Sequence, residues 1–295
     1  MIVKTYSKNQ FIFLQNAQSE ELTILEKQFK LDPVIFEKSK SSVEVSRFSD
    51  LTNTNLKNAY LLVTFDLENG TGPVEKKLFP TIMIFNFDHL IISGTKIIDQ
   101  LPAPTAQTKI SNYILKVLLL QADHFQKRML KIKTEIDRLD NLARKTTSTQ
   151  ALRDVTDLTH EIVYLKHTMS DQDETLRAFF DYCKNSNASD ALLDQVRVEQ
   201  RRLNKMIDVY EDLLNSVSGL FGSMMDSHLN HLMKYLDTVA LIISIPALIG
   251  GLWGMNVGGI PGKTSSWGFF SVLVLCLICV IASSLYLRKK KYLSD

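Results

Sequence analysis

Thr238 to Asn256 reads TVALIISIPALIGGLWGMN. It is almost wholly apolar from Val239 to Trp253, carries no charge and ends in Gly254-Met255-Asn256. A helix rises about 1.5 Å per residue, so a hydrocarbon core of roughly 30 Å needs about 20 apolar residues. Residues 238–257 supply 20, and a second uncharged run, Trp267 to Leu287, supplies 21. Both runs are too long and too near the C-terminus to be targeting signals. Lys234 precedes the pair, and Arg288, Lys289, Lys290 and Lys291 follow it. That basic cluster is expected to stay in the cytoplasm. Two spans return the chain to its starting side. The expectation is therefore a multi-pass protein of the cell membrane with both termini cytoplasmic, a loop at 258–266 outside and a basic tail at 288–295.

Working outward, the charged residues lie almost entirely before Thr238. A polar domain is joined to an apolar tail, and a net charge of +2 on 295 residues gives no case for nucleic acid. Cys276 and Cys279 form a C-x-x-C inside the second run. Zinc would need two further ligands beside them, so they read as small apolar fillers, while Cys183 is isolated. There is no phosphate-binding Gly loop, no G-x-S-x-G and no H-E-x-x-H, and no enzyme activity is expected.

Residues 1–104 read as a small α/β domain. Phe11–Leu14, Val43–Phe48, Tyr60–Phe65, Leu78–Phe85 and Leu90–Ile92 are expected strands, with a turn at 68–73. Ser19-Glu20-Glu21 opens a helix with an apolar stripe of Leu22, Leu25 and Phe29, and Ser19 can cap it. A second short helix follows Pro33. Residues 105–237 are helical: one helix to about Arg144, a second from about Gln150 to Cys183, and a third from Asp190 with no stop before the first span. Ser189 can cap the third. Val196, Leu203, Tyr210, Val217 and Met224 recur every seven residues, a heptad seam that can pack against neighbours. The whole is an α+β domain followed by long stalk helices and two transmembrane helices.

One hairpin encloses no polar path, so a pore would need several copies around an axis. Ser244, Ala247, Gly250 and Gly251 are small residues that let helices approach closely. A ring of Asn256 amides would then sit at the outer mouth, where oxygen acceptors and the last helix carbonyls attract cations. Mg²⁺ dehydrates reluctantly, which suits a ring that holds the ion through its waters. The aliphatic stretch below permits a gate that closes by dewetting. The alternative for Asn256 is an interfacial residue that ends a helix.

Gly254-Met255-Asn256 at the end of the first of two C-terminal spans resembles the signature of CorA-type magnesium channels. Asn230-His231-Leu232-Met233-Lys234-Tyr235-Leu236 resembles the family's N-x-x-M-K-x-L. Pro246 and Gly251 stand where many members carry Pro and a pore glycine, and Trp253 replaces the usual Tyr. The resemblance implies a homopentameric funnel that takes up Mg²⁺ across the lipid bilayer and closes when cytoplasmic Mg²⁺ binds acids between subunits. It makes Gly254, Met255 and Asn256 the selectivity filter, with Asn256 meeting the hydrated metal ion. Gly251, Ala247, Ser244, Leu236 and Asn230 would line the pore. The outer loop, with Lys263 and no acid, departs from the family's M-P-E-L, and Ala247 stands where many members have Thr. The same fold serves zinc transport, so a Zn²⁺, Co²⁺ or Ni²⁺ transporter is the alternative, and a membrane-anchored sensor is the rival of another class. Asp190, Asp194, Asp173 and Glu174 are candidate regulatory acids. For these, as for Asp171, Asp208, Glu211, Asp212, His160 and His167, a solvated helix face is the plainer reading.

Overall fold

The computed structural model describes residues 2–6, 9–15, 19–38, 44–68, 70, 72–94, 97–105, 107–146, 148–186, 188–255, 257–259, 262 and 266–289. The chain forms two compact units, Met1–Ser218 and Gly219–Asp295.

In the first unit, six strands form one sheet: β1 (Ile2–Tyr6), β2 (Asn9–Gln15), β3 (Arg47–Leu51), β4 (Ala59–Leu67), β5 (Leu78–Phe85) and β6 (His89–Gly94), in the order β1-β2-β6-β5-β4-β3. Among the described residues, β2 and β6 pair in parallel and the other neighbours antiparallel. Successive side chains on a strand alternate faces, and here both faces are buried. Ile12, Leu14, Leu61, Val63, Ile82, Ile84 and Ile91 pack under α1 (Ser19–Phe29) and α2 (Val34–Lys38). Phe11, Phe13, Leu62, Met83, Phe85, Leu90 and Ile92 pack against the long helices that follow. A sheet covered on both sides needs near-continuous apolar strands, which is why β4 and β5 read as unbroken hydrophobic runs.

Four expectations are adjusted. The third strand begins at Arg47, not Val43, because its first paired residue faces Val63. The N-terminal strand β1 was not anticipated. The first helix starts at Ser19 itself, whose side chain lies outside the described residues, as does Val43. The turn after β4 closes through a 3-10 turn, Val74–Lys76, with the Glu68 N–H donating to the Lys77 carbonyl at 2.9 Å.

Short α3 (Ile97–Gln100) leads into α4 (Ile110–Ala143), α5 (Thr149–Asn185) and α6 (Asp190–Gly254). Ser148 caps α5, its Oγ accepting from the Ala151 N–H at 3.5 Å. Ser189 meets the start of α6 through its backbone: its N–H donates to Asn112 Oδ1 at 2.8 Å. Buried positions step by three and four along each helix: Phe125, Met129, Ile132, Ile136 and Leu139 on α4, and Val155, Leu158, Ile162, Leu165 and Met169 on α5. On α6 the row is Val196, Gln200, Leu203, Ile207, Tyr210, Leu214 and Val217. The heptad seam is thus buried within a single chain from Val196 to Val217, while Met224 is half-buried, and Leu193 and Val196 join the core with Phe179 and Cys183 of α5. It does not by itself call for a second copy. Burial lifts the Cys183 thiol to about 12, which leaves it a packed apolar group and not a reactive one.

A polar junction ties the helices to the free edge of β4. Pairing with β3 ends at Val63, so the Phe65 N–H finds no strand partner there and donates to Gln172 Oε1 at 3.2 Å. Thr64 Oγ donates to Gln121 Oε1 at 3.0 Å. His124 bridges Asp66 Oδ1 at 2.7 Å through Nδ1 and Gln100 Oε1 at 3.0 Å through Nε2. Asp66 holds the His124 pKa above its ordinary value through this hydrogen bond, against the opposing effect of burial.

Candidate functional site

The second unit contains the last turns of α6 and all of α7 (Ser266–Lys289). These are the two helices long and apolar enough to cross a membrane among the described residues. Their side chains are not covered by the protein. Leu236 is 62% exposed, Leu248 66% and Trp267 82%. An apolar surface that the fold leaves bare to this extent demands lipid or another copy.

A helix turns about 100° per residue. By that measure Leu236, Ala240, Ser244, Ala247 and Gly251 fall within roughly 80° of arc on one face of α6. Four of the five are Ala, Ser or Gly, and the face is therefore a shallow groove between bulkier flanks. The structure brings the expected pore residues Leu236, Ser244, Ala247 and Gly251 together on it, with Asn230 at its margin. Ser244 Oγ donates to the Leu241 carbonyl at 2.9 Å, and Thr238 Oγ to the Lys234 carbonyl at 2.7 Å, so neither hydroxyl burdens the apolar run. Pro246 lies inside the helix and removes the N–H that would reach back one turn. Sequence reasoning missed Asp226 and Asp237. Both are exposed, have no ion-pair partner among the described residues, and lie on the same side of α6 as the small-residue face. The signal was present: their spacing from Ala240 is helical.

The helix ends at Gly254. Met255 is already off it, its N–H donating to the Leu252 carbonyl at 3.3 Å. Asn256, the expected selectivity residue, lies outside the described residues, as does Lys263. Two described glycines, Gly262 and Gly268, nevertheless approach each other closely. Gly262 has φ +77°, and a Cβ built on Gly268 would lie 2.0 Å from the Gly262 carbonyl oxygen. The ring of Trp253 approaches the same glycine, 3.4 Å from where a Cβ would sit. Only two glycines can pass this closely.

The candidate regulatory acids do not converge in one chain. Asp173 pairs with Arg177 at 2.7 Å, and Asp194 with Arg197 at 3.7 Å. Asp208 and Glu211 share Lys166. Asp190, Asp171 and Glu174 are exposed, as is His167. Among the described residues no three His, Cys, Asp or Glu side chains are grouped to hold a metal. His160 lines a cleft of about 570 Å³ with Glu75, Asp157 and the Arg138–Asp154 ion pair, which holds the Asp154 carboxyl below its ordinary range.

Known proteins share this construction. The zinc transport protein ZntB of Yersinia enterocolitica is 22% identical over 232 residues, 72% of this chain and 68% of that protein. The cobalt/magnesium transport protein CorA of Thermotoga maritima is 26% identical over 87 residues, 30% of this chain but only 25% of its own length. The complete CorA magnesium transporter from Methanocaldococcus jannaschii superposes with a TM-score of 0.79 at 16% identity, covering 99% of this chain and 95% of that one. At that identity the likeness establishes the fold. The family description, CorA-like Mg²⁺ transporter protein, matches residues 7–289, which take in strands β2 to β6, the long helices α4, α5 and α6, and α7. This chain belongs to the CorA-like family of divalent-cation transporters, proteins that move ions and catalyse no reaction.

Proposed function

We propose that the chain assembles as a homopentamer around α6 and conducts divalent cations inward, Mg²⁺ foremost, down the membrane potential. The small-residue face of α6 carries this reading, because from Thr238 onward it leads without a charge to Gly254-Met255-Asn256. With that face inward and α7 outside it, Gly251, Ala247 and Ser244 leave room for a hydrated ion. Asn256 oxygens would hold the ion through its waters, as Mg²⁺ prefers. Leu236 forms the aliphatic constriction, and Asp226 and Asp237 raise the local cation concentration near it. The basic end of α7 supports a cytoplasmic N-terminal unit and cytoplasmic termini. Carboxylates at contacts between copies would hold regulatory Mg²⁺, so protease sensitivity of the first unit is expected to fall as Mg²⁺ rises.

A zinc or broad-specificity transporter is the second reading. Its support is the relative named for zinc, while Ala247 and a loop with Lys263 and no acid depart from the family's pattern and leave the choice of ion open. Flux into proteoliposomes with Mg²⁺, Zn²⁺, Co²⁺ and Ni²⁺ compared decides between them. Mg²⁺ flux supports the first reading, and Zn²⁺ flux without Mg²⁺ flux the second. No flux for any ion would leave a membrane-anchored sensor.

A further inference from the structure

The groove between α5 and α6 has no part in the pathway above. It encloses about 430 Å³ and is lined by Arg177, Arg197, Arg201 and Lys205, with Asp173, Asp208 and Asn204 among them. That volume lies within the roughly 300–1,000 Å³ typical of small-molecule sites. Arg197, Arg201 and Lys205 are spaced by four, one above the other on α6, and like charges at that spacing destabilise a helix. Arg201 and Lys205 have no acid within ion-pair distance among the described residues, and each is exposed. Arg197 is held in place by lying over the Phe180 ring, 5.1 Å from its centroid. The carboxylate it pairs with, Asp194, is 3.7 Å away and exposed. Three cations thus stand in a row without a matching row of acids.

The two acids define the partner further. Asp173 is tied to Arg177, while Asp208 reaches Lys166 only at 3.8 Å. They would repel a bare polyanion lying along the row. Mg²⁺, however, is commonly held through one or two carboxylates together with phosphate oxygens and water. A row of cations with one carboxylate, Asp208, on its own helix and another, Asp173, on the neighbouring helix matches a polyphosphate chain with its metal attached. Arg and Lys supply the charge-assisted donors that such oxygens accept.

We propose that this groove binds a magnesium-complexed polyphosphate, either a nucleoside triphosphate or an inorganic one. Its purpose, to report the cell's bound magnesium to the transporter, rests on the transport reading; its binding does not. The test uses the full chain in detergent micelles, titrated calorimetrically with ATP and with tripolyphosphate, each with Mg²⁺ and with EDTA. Saturable binding of Mg²⁺–tripolyphosphate is expected, weaker in EDTA and weaker in high salt. Mg²⁺–ATP binding as tightly would assign the site to polyphosphate in general, and tighter binding to nucleotides. The exposed double variant Arg201→Gln/Lys205→Gln is expected to weaken either by about tenfold or more, two charge-assisted bonds being lost. Asp208→Asn is expected to reduce the difference between Mg²⁺ and EDTA. Absence of saturable binding, or binding that the double variant leaves unchanged, overturns the proposal. So does a change in assembly mass in that variant without any polyphosphate binding, which would make the row a contact between copies. Because binding is read without flux, failure here and failure of the transport reading are separate results.

Discussion

The helix α6 answers to two different solvents. From Val196 to Val217 one apolar row is sealed by the protein itself, Leu203 and Ile207 each only 2% exposed. From Leu236 to Leu252 the same residue types stand bare. The first stretch separates apolar from charged positions every three and four residues. The second has apolar residues all round, and a single face that is small instead of polar. Periodicity marks a helix that the chain can satisfy alone; its loss marks one that needs lipid or copies.

The comparison can be broken most directly by truncating one leucine in each stretch. Leu203→Ala should destabilise the first unit by about 2–5 kcal/mol, since a buried cavity remains. Leu248→Ala should stay within about 0.5 kcal/mol, as substitutions at exposed sites do. Chemical unfolding in detergent, followed by far-ultraviolet circular dichroism, measures both, and equal costs would erase the distinction. Next in size is the mouth. Asn256→Ala removes one acceptor from every copy, and flux should fall about tenfold or more while the assembly mass in detergent stays the same. Wild-type flux would sink the filter assignment. Lys263→Glu should raise flux at low salt, an advantage that fades at about 0.1 M and above as screening sets in.

The smallest effect is confined to the first unit. The folded-state pKa of His124 is raised, so its bonds to Asp66 and Gln100 stabilise fully below the ordinary value of 6.5 and are lost as pH rises through the raised one. Its charged neighbours Asp123 and Lys127 act in opposite directions. Hydrogen exchange at the α4 amides around His124 should quicken across that interval. His124→Gln should flatten the response, and an unchanged pH profile in that variant would remove His124 as its origin.

The long helices, the apolar pair and most strands were legible because each is written in local periodicity. Strand β1 was not: IVKTY is short and owes its place to pairing with β2. The start of β3 was misread because Val43 and Val45 look like strand residues, whereas the register is set by the partner Val63. The polar junction was invisible for a different reason. His124 and Asp66 lie 58 residues apart, and only the packing of α4 on the sheet brings them together. On α6, spacing alone placed Ser244, Ala247 and Gly251 on one face of the helix. It would have placed Asp226 and Asp237 beside that face had the polar approach to the apolar run been followed as closely as its length.

The bond from Phe65 to Gln172 also has a consequence in time. An uncovered strand edge is a template for pairing with other chains. The segment Thr64–Leu67 has no β3 partner, and the side chain that covers its backbone comes 107 residues later. At roughly 5–20 residues per second, a ribosome needs on the order of 5–20 s to make that stretch. During synthesis the sheet is therefore complete well before it is protected. For this chain the hazardous interval is set by the distance in sequence from a strand to a glutamine, and it closes before the first apolar span has been made.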